Sequence, residues 1–344
     1  MLDTRRIRPA PRIAAAQTIS VVIPLYNGAA YIGEALRSVL DQTRPADEII
    51  VVDDGSTDDG PAIVAPLAAA GLVTLLSRPN GGQSAARNFG VAHSHGDLIA
   101  LLDQDDIWYP NHLAELSRPF RRTSHPEIGW VYSNLDRIAI NGSMITRSFL
   151  SHLGAQHPKR DLARCLGEDM FVLPSASLIS RRAFEAVGGF DERLCGYEDD
   201  DLFLRLFLHG YDNVFVDKAL SKWRIHTGSA SYSPRMAQSR MIYAGKLFAQ
   251  FADRPEMGEF LVRDCSAPRF YRQILGQCLQ TVRAGKPCPT AQVTADLRFV
   301  IRHLSLRGRL AARAFLPLLN RPGMLRALLA SGPLWRRLAP HLLR

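Results

Sequence analysis

The feature that most constrains the fold is an alternation of short apolar runs and helical segments over the first 110 residues. The apolar runs are Ile19–Pro24, Glu48–Val52, Val73–Leu76 and Leu98–Leu102. Segments with helical spacing lie at Ala29–Leu40, Ile63–Ala70 and Gln83–Ala92. Continuous apolar runs bounded by turns are typical of parallel strands buried on both faces. The pattern predicts an α/β fold in which ligands bind at the carboxyl ends of the strands.

The pattern changes after Pro110. Further strands are predicted at Gly129–Ser133, Arg137–Ile145, Ser175–Ser180, Val214–Val216 and Lys222–Ile225, with a hairpin turn at Asn141-Gly142. A helix is predicted at Leu202–Leu208. Beyond Met236 the chain is predicted to be helical, and prolines divide its end into short pieces.

Positive charge is concentrated at the C-terminal end. Residues 297–344 contain ten Arg and neither Asp nor Glu, whereas the other 296 residues carry 32 basic and 33 acidic side chains. A cationic tail on a near-neutral body favours a polyanionic partner. Two interpretations stay open, a helix lying on an anionic inner membrane leaflet and a helical subdomain packed on the body. Because the body is near neutral and rich in clustered carboxylates, nucleic acid is not expected as a partner.

Cysteine usage and hydropathy bear on the compartment. The five cysteines are odd in number and include no CxxC pair, which favours a reducing compartment over a disulfide framework. The Arg-containing first 16 residues lack the apolar core of a secretory signal. No run approaches the ~20 apolar residues of a membrane span. We therefore expect a cytoplasmic protein, with peripheral attachment to the inner membrane face as the open alternative.

Acidic clusters follow the second and fourth apolar runs. Asp53 and Asp54 precede a Gly-Ser turn, and turn formation alone explains them as well as a ligand site does. Asp103, Asp105 and Asp106 crowd one strand end, where their charges repel one another unless a cation compensates. Oxygen ligands of this kind suit Mg²⁺ or Mn²⁺, which bridge to phosphate oxygens. A solvated acidic turn is the alternative.

A third acidic cluster occupies residues 198–201, just before the predicted helix. Acids in the first turn complement the helix dipole, but one or two are enough for that purpose. Crowded carboxylates also favour a general base that accepts a proton near neutrality. His226 follows the last predicted strand, where a structural role and a ligand role are both open.

A glycine turn, Asn80-Gly81-Gly82, opens the segment Gln83–Ala92. Such a turn presents free N–H groups to an anion, and Arg87 adds a charge suited to phosphate. The alternative is an ordinary helix start with an exposed arginine. Neither GxGxxG nor GxxxxGK[ST] is present here, so a dinucleotide fingerprint and a Walker loop are excluded.

In their order along the chain, these motifs closely resemble the inverting family-2 glycosyltransferases of the GT-A fold. The matching segments are PLYN at 24–27, VVDDGSTD at 51–58, NGGQSAARNFG at 80–90, LLDQDDIWYP at 101–110, GGFDE at 188–192, GYED at 196–199 and WRIH at 223–226. The resemblance covers about residues 18–232. It implies a Rossmann-like, mostly parallel sheet flanked by helices, with a helical, basic C-terminal extension.

The resemblance also divides the chain. We expect a basic N-terminal segment at 1–17, a catalytic domain at 18–235 and a helical, basic extension at 236–344. Within the catalytic domain, residues 18–110 would bind the nucleotide sugar and residues 111–235 would bind the acceptor.

Roles follow for the matching residues. The nucleoside-diphosphate sugar would bind to Pro24, Tyr26, Asn27, Asp53, Asp54, Gly82, Arg87 and Asp103. Within that set, Asp54 would accept from a base N–H and Asp103 would face the ribose. A divalent metal, Mn²⁺ or Mg²⁺, would bind to Asp105, with His226 as a weaker ligand. Asp199 would be the catalytic base beside Glu198, and Gly188 and Gly189 would shape the acceptor side.

The implied chemistry is that of a hexosyl- or related transferase. Negative charge builds on the leaving diphosphate, which a divalent cation stabilises, and one carboxylate takes the acceptor proton. With one base and no nucleophilic carboxylate, we expect inversion at the anomeric carbon. The expected acceptor is a saccharide or lipid-linked precursor of a cell-surface polysaccharide.

Two other functions are the alternatives to this one. A sugar-phosphate nucleotidyltransferase normally needs a Gly-rich, basic loop near the first strand, where PLYNGAAY has neither Lys nor Arg. A non-catalytic protein that binds membranes or polyanions through its tail would not explain the clustered carboxylates.

Overall fold

The computed structural model describes residues 17–121, 127–226, 234–286 and 290–332. The chain divides into two compact units. The first contains the described residues up to Lys159 and Phe171–Met236, and the second contains Arg160–Met170 and the described residues from Ala237 onward. The predicted N-terminal segment, apart from Gln17, and the end of the cationic tail beyond residue 332 lie outside the described ranges.

The first unit is built on one mixed sheet, and its parallel half comes first in the chain. The strands of this half are β1 (Ile19–Leu25), β2 (Glu48–Asp53), β3 (Thr74–Ser77) and β4 (Leu98–Leu101). They lie in the order β3-β2-β1-β4, connected by α1 (Ile32–Leu40), α2 (Gly60–Ala69) and α3 (Gln83–Ala92). Every residue of β1 and β4 is buried, as expected for strands covered on both faces. Because these strands are parallel, their carboxyl ends share one edge of the sheet.

The second half of the sheet mixes strand directions. Its strands are β5 (Ile107–Trp108), β6 (Ile128–Ala139), β7 (Met144–Thr146), β8 (Ser177–Ser180) and β9 (Asp212–Ile225). They continue the order as β4-β8-β6-β9-β5, with β7 paired to β6. β8 is antiparallel to both β4 and β6, whereas β6 and β9 run parallel. The helices of this region are α4 (His112–Ser117), α5 (Leu162–Gly167), α6 (Arg181–Ala186) and α7 (Glu198–Leu208), of which α5 belongs to the second unit.

Two strands are longer than the sequence predicts. β6 continues through the polar residues between the predicted strands Gly129–Ser133 and Arg137–Ile145. One of these residues, Asn134, is buried and has hydrogen-bond partners: it donates to Asp217 at 2.9 Å and accepts from the Leu150 N–H at 2.9 Å. β9 joins two predicted strands through a bulge, where the pairing passes from Ser133–Val216 to Asn134–Ala219. A satisfied polar side chain therefore accompanies the continuation of β6, and a bulge accompanies that of β9.

The second unit is helical. Its helices after α5 are α8 (Pro234–Gln250), α9 (Ala267–Arg283), α10 (Thr290–Ile301), α11 (Leu306–Leu319) and α12 (Pro322–Ala330), with α8 beginning in the first unit. The apolar side of α9, including Phe270, Ile274 and Leu275, is buried. None of the helices within the described ranges is long and apolar enough to cross a membrane. The predicted α/β fold with a helical C-terminal part is confirmed.

Candidate active site

Loops meet at the carboxyl edge of the parallel strands, because β1, β2 and β4 end there side by side. Asn27 N donates to Ser56 Oγ at 3.1 Å, and Thr57 N donates to Asn27 Oδ1 at 2.8 Å. The backbone of Tyr26 forms two hydrogen bonds with the Gln104 side chain, at 2.8 and 3.0 Å. The Tyr26 side chain stays 48% exposed. The predicted residues Tyr26 and Asn27 therefore lie at this edge, fastened to the loops after β2 and β4.

Asp54 holds the glycine turn that precedes α3. Its buried carboxylate accepts from Gly81 N at 3.0 Å and Gly82 N at 2.7 Å, and Arg78 pairs with it at 3.3 Å. Gly82 has a φ of +89°, in the region that favours glycine. The neighbouring Asp53 accepts a backbone N–H of its own turn at 2.9 Å. These contacts give Asp54 a structural task, and its bond to a nucleotide base stays a prediction.

Arg87, on α3, is a buried cation. Its guanidinium donates to Asp103 Oδ1 at 2.5 Å and to Glu198 Oε1 at 3.1 Å, and it lies 5.3 Å from the centroid of the Phe190 ring. Burial alone would lower the pKa of Arg87, but the Asp103 and Glu198 carboxylates more than offset this and raise it. Only 1% of its side chain is exposed, so the alternative of an exposed helix-start arginine is wrong.

Other polar side chains of α3 bind to the segment that leads into α7 and to the first residue of α7. These contacts run from Gln83 to the Glu198 carboxylate, from Ser84 to Leu194 O at 2.8 Å, and from Asn88 to both Phe190 O and Phe190 N at 2.9 Å. Residues 83, 84, 87 and 88 share one side of a helix. The polar character of that side in NGGQSAARNFG is the sequence signal that would have identified Gln83, Ser84 and Asn88.

The four acids at the start of α7 differ in their surroundings. Glu198 is buried and also accepts from Gly196 N at 2.6 Å. Asp201 is buried and accepts from Arg205 Nε at 2.9 Å, and Asp200 is buried as well. Asp199 is half-buried, and its Oδ1 accepts from Asp200 N at 2.8 Å. Asp199 is thus the most accessible acid of this cluster.

The two predicted acceptor-side glycines form a turn that Arg205 supports. Gly188 and Gly189 have φ values of +78° and +69°, which a side chain rarely adopts. Arg205 donates to Val187 O at 2.6 Å and to Gly189 O at 2.7 Å. Because Arg205 also pairs with Asp201, the glycine turn is tied to the first turns of α7.

Asp105, in the acidic motif after β4, faces His226, which directly follows β9. Asp105 Oδ2 lies 2.8 Å from His226 Nε2. Burial, and after it the charge of Asp103, raises the pKa of Asp105, while the contact with His226 acts in the opposite direction. Asp106 is buried and accepts from Arg224 N at 3.0 Å. Burial, followed by the charges of Asp105 and Asp103, raises the pKa of Asp106 well above its usual range.

The Asp105–His226 pair has the chemistry of a partial metal site. Across the described parts of the chain, no group of three His, Cys, Asp or Glu side chains is arranged to hold a metal ion. Mg²⁺ and similar ions, however, are often held by one or two protein ligands and completed by substrate phosphate and water. One carboxylate oxygen beside one imidazole nitrogen, each partly exposed, fits such a site.

The predicted site residues thus fall into groups. Asp103 meets Glu198 through Arg87, and Asp105 meets His226 directly. Pro24 lies inside the buried strand β1. Gln104 and Arg224, which hold the loop after β4, were not predicted. Their partners lie far away in the chain, so no local pattern marks them.

Known proteins with similar sequences identify the family. Residues 20–188 match the family described as Glycosyl transferase family 2, and residues 174–227 match the N-terminal domain of galactosyltransferase. A Rickettsia bellii protein named as an uncharacterized glycosyltransferase is 29% identical over 218 residues, which is 62% of this chain and 30% of the relative.

The chain belongs to glycosyl transferase family 2. The family and the transferase class predicted from the motifs are confirmed. The chain spans about a third of the length of the first Rickettsia relatives, with 30% and 35% of each matched.

Solved structures give the fold of this glycosyltransferase. Staphylococcus aureus TarS in complex with UDP-GlcNAc has a TM-score of 0.62 at 20% identity, covering 90% of this chain and 88% of TarS. The mannosyltransferase PcManGT from Pyrobaculum calidifontis in complex with GDP-Man and Mn²⁺ has a TM-score of 0.55 at 19% identity, covering 97% and 87%. The predicted GT-A fold is confirmed.

The Arg87 bridge makes a direct prediction about stability. Arg87→Met keeps an unbranched side chain but leaves the Asp103 and Glu198 carboxylates without their shared cation. Breaking a buried pair costs about 3–5 kcal/mol, and because Asp103 is partly exposed we expect the low end, ~3 kcal/mol. Urea unfolding followed by circular dichroism measures the loss.

Arg193→Met is the matched control. Arg193 pairs with Asp191 at the surface, where an ion pair contributes about 0–1 kcal/mol. Equal, small losses for the two variants would mean that the Arg87 bridge does not hold the site together.

Proposed function

We propose that this glycosyltransferase moves a sugar from a nucleoside-diphosphate sugar to an acceptor hydroxyl, assisted by a divalent metal and with inversion at the anomeric carbon. The observation that carries the proposal is the Arg87 bridge between Asp103 and Glu198. It joins the acidic motif after β4, which suits a diphosphate with its metal, to the start of α7, which suits proton transfer.

The donor is proposed to bind at the edge formed by residues 18–110. The half-exposed Tyr26 ring offers a flat surface to the base. Asp54, which holds the Gly82 turn, follows the neighbouring strand β2. Asp103 is proposed to face the ribose. The complexes of TarS with UDP-GlcNAc and of PcManGT with GDP-Man support a nucleoside diphosphate as the shared part of the donor.

Asp105 and His226 are proposed to hold Mn²⁺ or Mg²⁺. When bound, the ion supplies positive charge that stabilises the departing diphosphate. Arg224 contacts the backbone of this pair: it donates to Asp105 O at 2.9 Å, and it also pairs with Glu34. Arg224 therefore fixes the loop that carries Asp105, and the Mn²⁺ in the PcManGT complex supports the proposal.

Asp199 is proposed as the general base. Its three acidic neighbours are buried, and two of them are held by arginines, Glu198 by Arg87 and Asp201 by Arg205. Asp199 is the most accessible of the four and can approach an acceptor hydroxyl. Because a single carboxylate takes the proton and none attacks the sugar, direct displacement inverts the anomeric centre.

The acceptor is proposed to bind on the side formed by residues 111–235, beside the Gly188-Gly189 turn. An acceptor hydroxyl on a saccharide or lipid-linked precursor fits the proposed base. The cationic stretch from residue 297 onward supports the lipid-linked form, since it suits an anionic membrane surface.

A panel of nucleotide sugars, each incubated with the protein and Mn²⁺, tests the proposal. We expect release of nucleoside diphosphate from one donor, and loss of that release when a chelator removes the metal. Pyrophosphate formed from a nucleoside triphosphate and a sugar phosphate would instead identify a nucleotidyltransferase, and no turnover of any donor would contradict the proposal.

Asp105→Asn is the companion variant for the panel. It keeps size and polarity but removes the charge proposed to bind the metal. Its turnover with Mn²⁺ should fall to that of the chelated wild type, with an unchanged circular dichroism spectrum. Normal turnover of Asp105→Asn in chelator would exclude Asp105 as the metal ligand.

Asp199→Asn tests the general base. The amide cannot accept the proton, so turnover should fall by about 10²–10⁴-fold while donor affinity changes little. Turnover and donor affinity are measured with the donor that the panel identifies.

Asp200→Asn is the control, because the neighbouring Asp200 is buried and is not proposed to meet the acceptor. Its effect should be mild by comparison. If Asp199→Asn kept near-normal turnover while Asp200→Asn or Asp201→Asn lost it, the base would lie at a different residue of α7.

A further inference from the structure

Helix α11 of the second unit has two sides of opposite character. Its buried side consists of Ala312, Phe315 and Leu319. The opposite side exposes Leu306 by 65% and Leu310 by 60%. Arg313 and Pro317 are also exposed and continue the same line at helical spacing. These four residues, Leu306, Leu310, Arg313 and Pro317, are called the outer face of α11.

The helices that pack against α11 have the same kind of surface. α10 exposes Phe299, and α12 exposes Met324. The exposed arginines of this region are Arg298, Arg302, Arg307, Arg313, Arg321 and Arg326. No Asp or Glu occurs anywhere in residues 297–344. Large apolar side chains therefore stand among cations, in a stretch of sequence that contains no acidic residue.

We propose that the outer face of α11 docks onto an anionic lipid surface. Leu306 and Leu310 would enter the boundary between headgroups and acyl chains, and Arg307 and Arg313 would meet lipid phosphates and carboxylates. None of these residues belongs to the proposed transfer site.

The charge of the face favours lipid over other partners. A second copy of the chain would bring one arginine-rich face against another, and the like charges would repel. A nucleic acid would satisfy the arginines but has no apolar layer to receive two leucines that stand more than half exposed. An anionic bilayer offers both components.

Vesicle flotation with the 344-residue chain tests the proposal. The protein should float with phosphatidylcholine vesicles that contain phosphatidylserine, and should stay at the bottom with phosphatidylcholine alone. Salt at about 1 M, where the Debye length is about 3 Å, should reduce the bound fraction strongly.

Substitutions on the outer face, and at Arg307 beside it, separate the apolar from the charged contribution to binding. The double variant Leu306→Ser/Leu310→Ser should bind anionic vesicles about tenfold or more weakly, because apolar contact is lost. The double variant Arg307→Gln/Arg313→Gln should also weaken binding and should reduce its salt dependence. Leu72→Ser is the control, because Leu72 is an exposed leucine (51%) of the first unit. All variants are compared at unchanged melting temperature.

Three results would overturn the proposal. One is a wild-type protein that does not float with anionic vesicles. Another is a Leu306→Ser/Leu310→Ser variant that floats as well as the wild type, which would indicate a polyanion site without insertion. The third is a dimer, seen by light scattering, that the leucine substitutions dissociate, which would show that a second copy covers the face.

Discussion

The guanidinium of Arg87 is buried, and a buried cation is tolerated only where carboxylates surround it. Its two partners come from distant parts of the chain, Asp103 after β4 and Glu198 at the start of α7. If either carboxylate moved away from the other, the buried cation would lose one of its two partners. The Arg87 bridge therefore helps to set the position of the acidic loop relative to α7, together with the other polar contacts of α3.

Helix α3 extends that constraint over the rest of the site. Its leading glycines are held by the Asp54 carboxylate, and its polar side holds the segment from Phe190 to Glu198. One helix thus fastens the proposed donor edge and the proposed acceptor side. Asp199 directly follows Glu198, and Asp105 lies two residues after Asp103. Both of them, like His226, stay partly exposed, as reacting and ligand-binding groups must be.

The sequence predicted the parallel half of the sheet well, because local patterns determine it. The apolar runs gave β1 to β4 nearly to the residue, and α3 was placed at Gln83–Ala92 as observed. Prediction was poorer where the partners of a residue are distant from it in the sequence. Long strands with polar interiors, such as β6, looked like two strands because the partners of Asn134 lie elsewhere in the chain. The bond between Arg87 and Glu198, 111 residues away, was not predicted for the same reason, since nothing near Arg87 in sequence indicates it.

We propose that the loops at the carboxyl ends of β1, β2 and β4 form one site for a nucleoside diphosphate and its metal. A crystal structure with a nucleoside diphosphate and Mn²⁺ tests it most directly. We expect the base within van der Waals contact, about 4 Å, of Tyr26 or Asp54. We also expect the metal between Asp105 and the diphosphate, with the Arg87 bridge intact. A base several ångströms from both Tyr26 and Asp54, or a metal bound away from Asp105, would contradict it.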